Sequence, residues 1–264
     1  MHSAKQHQLK LSLGCLPLVI LVILGFMLLF FGGIYLKIKF ISVIFTVATR
    51  ELGIDFKLGV FLFIVSIVGC WIHIPLYSVR PSQRGQLKFY GSCPVWTLEQ
   101  TDKVYREQFQ PETYIALNLV GGAIPIMIAL YQFSRNSSTS ILVMTAIVAI
   151  MSYLFATVIP GRGICFRWHQ LWILVIITAF FALKMAQGSS DSAAAIAFSG
   201  SVLGTLVGAD LLHLREAQAK AFGRVLSIGG AGMKDGIVRS GLIALLLAEW
   251  IPYGIDFFKT QIWP

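Results

Sequence analysis

Apolar residues run along this chain in long blocks separated by short polar stretches. The blocks predict membrane-spanning helices at residues 11–36, 58–77, 113–133, 141–158, 171–185, 193–212 and 236–257. About 20 residues at a 1.5 Å rise cross a hydrocarbon core of about 30 Å, and most of these blocks meet or approach that length. The expected fold is therefore all-α: a polytopic transmembrane helix bundle of about seven spans, a single domain over residues 1–264. Residues 37–57 are amphipathic enough to lie partly in the interface. The largest polar segment, 78–113, contains QLKFYGSCPVWTL, in which apolar residues alternate around a Gly-Ser-Cys-Pro turn; a short hairpin in an extramembrane loop is expected there. The opening MHSAKQHQLK leads into an apolar run too long for a secretory signal and without a small-x-small cleavage site, so it is read as an uncleaved first span.

Composition sharpens this picture. The chain is 56% hydrophobic and 12% charged, far from the roughly 25% charged residues of an ordinary soluble domain. The formal net charge of +9 comes from Lys and Arg set between apolar runs, so anionic headgroups of a lipid bilayer, rather than nucleic acid, are the expected counter-charge. Leaving aside Lys234 and Arg239 at the start of the last span, the N-terminal tail and the loops on its side hold 12 Lys and Arg up to Arg224, against 7 on the other side, which predicts a cytoplasmic N-terminus. Cys15, Cys70, Cys93 and Cys165 form no C-x-x-C pair, so no zinc or dithiol motif is spelled out and they read as packing residues. No cofactor is implied.

Two acidic stretches stand out. In SGSVLGTLVGADLLHL, residues 199–214, Gly200, Gly204 and Gly208 advance only about 40° per step around a helix and make one narrow groove for a neighbouring backbone. Asp210 falls roughly 120° from that groove by the same arithmetic, on a sector shared with His213. A carboxylate at bilayer depth costs at least about 2.5 kcal/mol, so Asp210 is expected to face the bundle interior or a wet cavity, or else to sit near the headgroups and pair with Arg215. In LSIGGAGMKDGIVRSG, residues 226–241, Gly229, Gly230 and Gly232 break any helix before Asp235. That residue is expected to cap the last span with Arg239 as its ion partner one turn on, a role compatible with facing a cavity. The glycines lack the Walker spacing, though an anion at residues 229–236 stays open. Asn118, beside Gly121, Gly122 and Pro125, is read either as part of a kinked packing helix or as a substrate contact. His73, near Pro75, reads as an interfacial side chain, and Arg162, Arg167 and His169 as orientation and interface residues. Glu249 and Asp256 are expected to be solvated.

The stretches GTLVGADLLHL, SIGGAGMKDGI and RSGLIALLLA, with IALNLVGGAIPIMIALY and VIPGRGI upstream, resemble the prokaryotic polytopic membrane family catalogued as domain of unknown function 1614. The resemblance runs from about residue 59 to 248 and departs from the expected pattern at Met233 and Lys234. It implies a bacterial or archaeal inner-membrane protein and brings no established activity. A more distant similarity is to intramembrane aspartyl proteases, which carry two aspartates on bundle helices. Their G-x-G-D motif is absent here, but VGAD keeps a glycine two residues before Asp210. Three roles stay open at this point. One is a di-aspartate site at Asp210 and Asp235, with Gly229, Gly230, Gly232, His213, Arg239 and Asn118 as candidate substrate contacts. The second is a proton- or cation-coupled transporter using the same acids. The third is a non-catalytic subunit packed against other membrane proteins.

Overall fold

The computed structural model describes residues 27, 30–36, 39, 41–79, 113–159, 163–187, 192–220 and 225–262. The chain clusters into two compact units, Met1–Val47 and Ala48–Pro264. Most of helix α1, Phe30–Glu51, belongs to the first. The sequence predicts a span ending at residue 36 and an interfacial stretch after it, but the chain stays helical to Glu51. Thr46 fits that apolar helix because its Oγ1 donates to the Ser42 carbonyl oxygen at 2.9 Å. Most of the predicted first span and the hairpin sought in 78–113 lie outside the described residues.

The second unit begins with α2, Phe56–Val68, whose first turn is capped by Asp55 accepting from Lys57 N–H at 3.1 Å. Two of the predicted spans then fail as continuous helices. In place of the end of 58–77 and the start of 113–133 stand β1, His73–Val79, and β2, Thr113–Asn118. These strands pair antiparallel, with an irregularity between Pro75 and Tyr77. Pro75 has no N–H to give a helix or a central strand, and β1 sits at the sheet edge, where that is tolerated. β5, Leu226–Ile228, joins the other side of β2 in parallel, giving the order β1-β2-β5. After β2 comes a π-helical turn, Leu119–Ala123, which runs directly into α3, Ile124–Tyr131; Pro125 stands near the junction, where its missing N–H leaves the helical ladder one bond short.

The remaining helices follow the hydropathy more closely. They are α4, Ser138–Phe155; α5, Trp168–Ala186; α6, Ala193–Thr205; α7, Leu212–Lys220; and α8, Gly236–Ile262. A second pair of strands, β3 (Thr157–Ile159) and β4 (Gly163–Cys165), turns the chain between α4 and α5. Among the described residues five helices are long and apolar enough to cross a membrane: α1, α4, α5, the α6–α7 run Ala193–Ala219, and Gly236–Ile255 of α8. Their outward apolar side chains, such as Ile150 and Leu154 on α4, suggest a membrane-embedded protein in contact with lipid. The molecule is mostly helical, but not all-α.

The core is centred on α6, buried at every position from Ala194 to Val202. Its glycine row meets α4: a Cβ at Gly200 would run into Met144, one at Gly204 into Val148, and one at Gly208 into the backbone of Ala149. Gly241 of α8 gives the same close approach to Phe198 and Val202. At the end of the bundle where α6 begins, Ser192 caps it, accepting from Ala195 N–H and donating to Glu51 Oε2 at 3.1 Å. Arg50 there binds both Glu51 and Glu249. Glu249 is thus held in an ion pair with its side chain 14% exposed, contrary to the expectation of free solvation.

Candidate functional site

The opposite end of the bundle holds a cavity of about 710 Å³. α6 ends there, α8 begins there, and β3, β4 and β5 supply walls. Both Asp210 and Asp235 line it, although 25 residues separate them in sequence and they sit on different elements.

Asp210 reaches the cavity through an irregularity. Residues Leu206–Leu211 form a π-helical turn, so Asp210 does not stand where a regular helix would put it. Thr205, five residues earlier, lines the same cavity, and its Oγ1 lies 3.0 Å from Ser240 Oγ on α8. Among the described residues the Asp210 carboxylate has neither a hydrogen-bond donor nor an ion-pair partner. Arg215, the partner weighed from the sequence, makes no ion pair with it.

Asp235 is held by its own backbone neighbourhood. Gly229 and Gly232 take φ of +71° and +58°, conformations that side chains with a Cβ resist. A chain of short bonds, Gly230 N–H to Ser227 O, Gly232 N–H to Gly229 O and Asp235 N–H to Gly232 O, winds the segment into a compact turn. The carboxylate then accepts from Ile237 N–H at 3.1 Å and Ala231 N–H at 3.3 Å, so it caps α8 as expected. The predicted Asp235–Arg239 salt bridge is absent among the described residues, where Arg50 makes the ion pairs; Arg239 acts on Asp235 from further off. Burial pushes the Asp235 carboxyl above its ordinary value, opposed by the N–H groups of Ile237 and Ala231 and by the Arg239 charge.

Other sequence candidates divide. Gly230 and Arg239 line the cavity. Gly229 and Gly232 do not: Gly229 packs its backbone against Gly121 and Gly122, and Gly232 lies over Cys70. The two glycine pairs therefore let two turns touch, rather than loosening a helix. Asn118 is also placed elsewhere, fully buried, where its Oδ1 accepts from Val120 and Gly121 N–H and its Nδ2 donates to Cys70 O. It caps the first π-helical turn. His213 does not line the cavity; its ring lies against Tyr153 and its Nδ1 against the carbonyls of Gly208 and Ala209.

The cavity also contains residues that sequence reasoning left aside. His73, at the start of β1, places Nδ1 2.7 Å from Ser227 Oγ on β5, and both line the cavity with Lys234 and Cys165. Pairing His73 with Ser227 requires the sheet order, which no local pattern encodes. Among the described residues no cluster of three His, Cys, Asp or Glu is arranged to hold a metal. No curated protein and no solved structure matches the chain. The family described as "Protein of unknown function (DUF1614)" matches residues 67–247, a stretch that includes every residue lining the cavity. That match covers more than half of the sequence, and the chain belongs to this family.

Proposed function

We propose that the cavity is an acid–base centre worked by Asp210 and Asp235 as a pair, aspartyl-protease-like in its chemistry and acting on membrane polypeptides. The observation that carries this reading is that two carboxylates from separate elements line one cavity, one of them without a protein partner among the described residues. Crowded carboxylates titrate as a pair, one carrying a proton while the other is ionised. The ionised carboxylate takes a proton from water as the water oxygen bonds to the scissile carbonyl carbon, and the protonated one gives its proton to the carbonyl oxygen. The C–N bond then breaks as the newly protonated carboxyl gives its proton to the leaving nitrogen and the other carboxylate takes one from a hydroxyl of the gem-diol, which restores the one-proton pair and leaves a carboxylic acid and an amine. The family resemblance supports a prokaryotic inner-membrane location, and the 12 to 7 division of basic residues supports a cytoplasmic N-terminus.

The test is cleavage of a quenched library of apolar helical peptides by the full chain in lipid vesicles. Asp210→Asn and Asp235→Asn should each lower cleavage by about 10²- to 10⁴-fold. Wild-type cleavage by either variant rejects the pair. A second reading, proton- or cation-coupled transport, draws on the helix interruptions at Leu119–Ala123 and Leu206–Leu211. It predicts Asp210-dependent flux in proteoliposomes without peptide cleavage.

A further inference from the structure

In an uninterrupted α-helix the five steps from Thr205 to Asp210 turn about 500°, which would leave the two residues about 140° apart. Yet both line the cavity. The π-helical turn Leu206–Leu211 accounts for this, because its N–H groups reach five residues back, as Leu212 N–H does to Val207 O, and five residues close little more than one turn. Such a turn leaves a bonding problem where α7 resumes: in passing from five-back to four-back bonding, one carbonyl loses its amide. In a membrane no water replaces that donor.

His213 stands at this junction. Its Nδ1 lies 3.1 Å from Gly208 O and 3.1 Å from Ala209 O. Two carbonyl acceptors at one ring nitrogen require that nitrogen to carry the proton, which fixes the tautomer. The ring is braced by Tyr153 of α4, with centroids 4.9 Å apart and planes at 33°. Gly208 itself is packed on the α4 backbone at Ala149, one turn from Tyr153, so close approach and the braced imidazole together hold the turn against α4. Asn118 serves the first π-helical turn in the complementary sense, its Oδ1 accepting from the Val120 and Gly121 N–H groups at the start of that turn.

We propose that His213 is a positioning residue, which holds the π-helical turn by donating Nδ1–H to the carbonyls of Gly208 and Ala209 and thereby aims the Asp210 carboxylate into the cavity. The proposal rests on Asp210 being a working group of the cavity, as proposed above, but its test needs no turnover. Dicyclohexylcarbodiimide modifies protonated carboxyl groups in apolar surroundings: the O–H adds across one C=N bond and the acyl group shifts to nitrogen, leaving an N-acylurea. The full chain in lipid vesicles is treated across a pH series, and the peptide containing Asp210 is quantified by mass spectrometry, with Asp210→Asn as the blank. His213→Phe keeps a ring on Tyr153 and removes the donor. It is expected to shift the midpoint of the labelling profile by about one pH unit, a tenfold change in proton affinity, while His213→Gln, which keeps an N–H donor, restores the wild-type profile. Tyr153→Leu leaves the donor but removes its brace, and should move the midpoint in the same direction by less. A wild-type profile in His213→Phe, or a His213→Gln profile as displaced as that of His213→Phe, overturns the proposal; if His213→Phe does not fold, a wild-type profile in Tyr153→Leu does so. Asp210→Asn with undiminished peptide cleavage would remove the hydrolytic reading and leave this result readable.

Discussion

Replacing single glycines by alanine separates two demands that the fold makes on its backbone. Gly229 meets both: its φ is +71°, and a Cβ there would enter the backbone of Gly121 and Gly122. A left-handed residue with a Cβ costs about 1–2 kcal/mol, and overpacking a tight contact costs about 1–3 kcal/mol. Gly229→Ala should therefore destabilise by about 2–5 kcal/mol. Gly163 has φ of +87° but open space around its Cβ position, so Gly163→Ala should cost about 1–2 kcal/mol through strain alone. Gly208 lies inside the helical run and meets the Ala149 backbone, so its alanine variant sets an overpacking cost of about 1–3 kcal/mol against a propensity gain of up to about 1 kcal/mol. Gly254 in α8 has nothing within 4 Å of its Cβ position, and Gly254→Ala should gain up to about 1 kcal/mol from helix propensity. The assay is unfolding of each purified variant in mixed micelles by titration with a denaturing detergent, followed by circular dichroism. The expected order from least to most stable begins with Gly229→Ala and ends with Gly254→Ala. A Gly229→Ala variant no worse than Gly163→Ala would refute the contact between the two glycine turns, and with it the support that positions Asp235.

Two further outcomes follow from buried polar groups. Asn118→Ala strands the N–H groups of Val120 and Gly121 and the carbonyl of Cys70, so the same titration should show a loss of about 2–5 kcal/mol. Asn118→Asp, which keeps the acceptor, should lose less. Because burial raises the Asp235 carboxyl, the folded chain holds that proton to higher pH than the unfolded chain does. The stability contributed by this group is complete below the ordinary aspartate range and falls as pH rises through the raised value. Subtracting the pH profile of Asp235→Asn from that of the wild type should leave this decline, and a flat or rising difference contradicts the burial.

The spans that could be read from the sequence and those that could not differ for physical reasons. Helices α4, α5 and α8 fall close to the predicted spans because each is one unbroken apolar run. Residues 73–79 and 113–118 are equally apolar, but hydropathy alone cannot tell a strand from a helix, and the pairing of β2 with β5 joins positions more than a hundred residues apart. Pro75, which neither a helix interior nor a central strand accepts, was the local signal available. The acidic residues were identifiable because lipid makes an aspartate conspicuous. His213 was expected to work beside Asp210, but its ring is taken up by Tyr153 and by the carbonyls of Gly208 and Ala209, contacts that no helical-wheel position encodes. Cap geometry at Asp235 was legible from the glycine run and the following helix; the hydrogen bond between His73 and Ser227 was not, since it spans the sheet.

The convergence of Asp210 and Asp235 is tested most directly by cross-linking. In a chain whose native cysteines are replaced, Asp210→Cys and Asp235→Cys are combined and treated in lipid vesicles with a bifunctional thiol reagent spanning no more than one helix diameter, about 10 Å. An intramolecular cross-link between the two positions is the predicted result. Two thiols that each react singly with the reagent and never join would contradict the account.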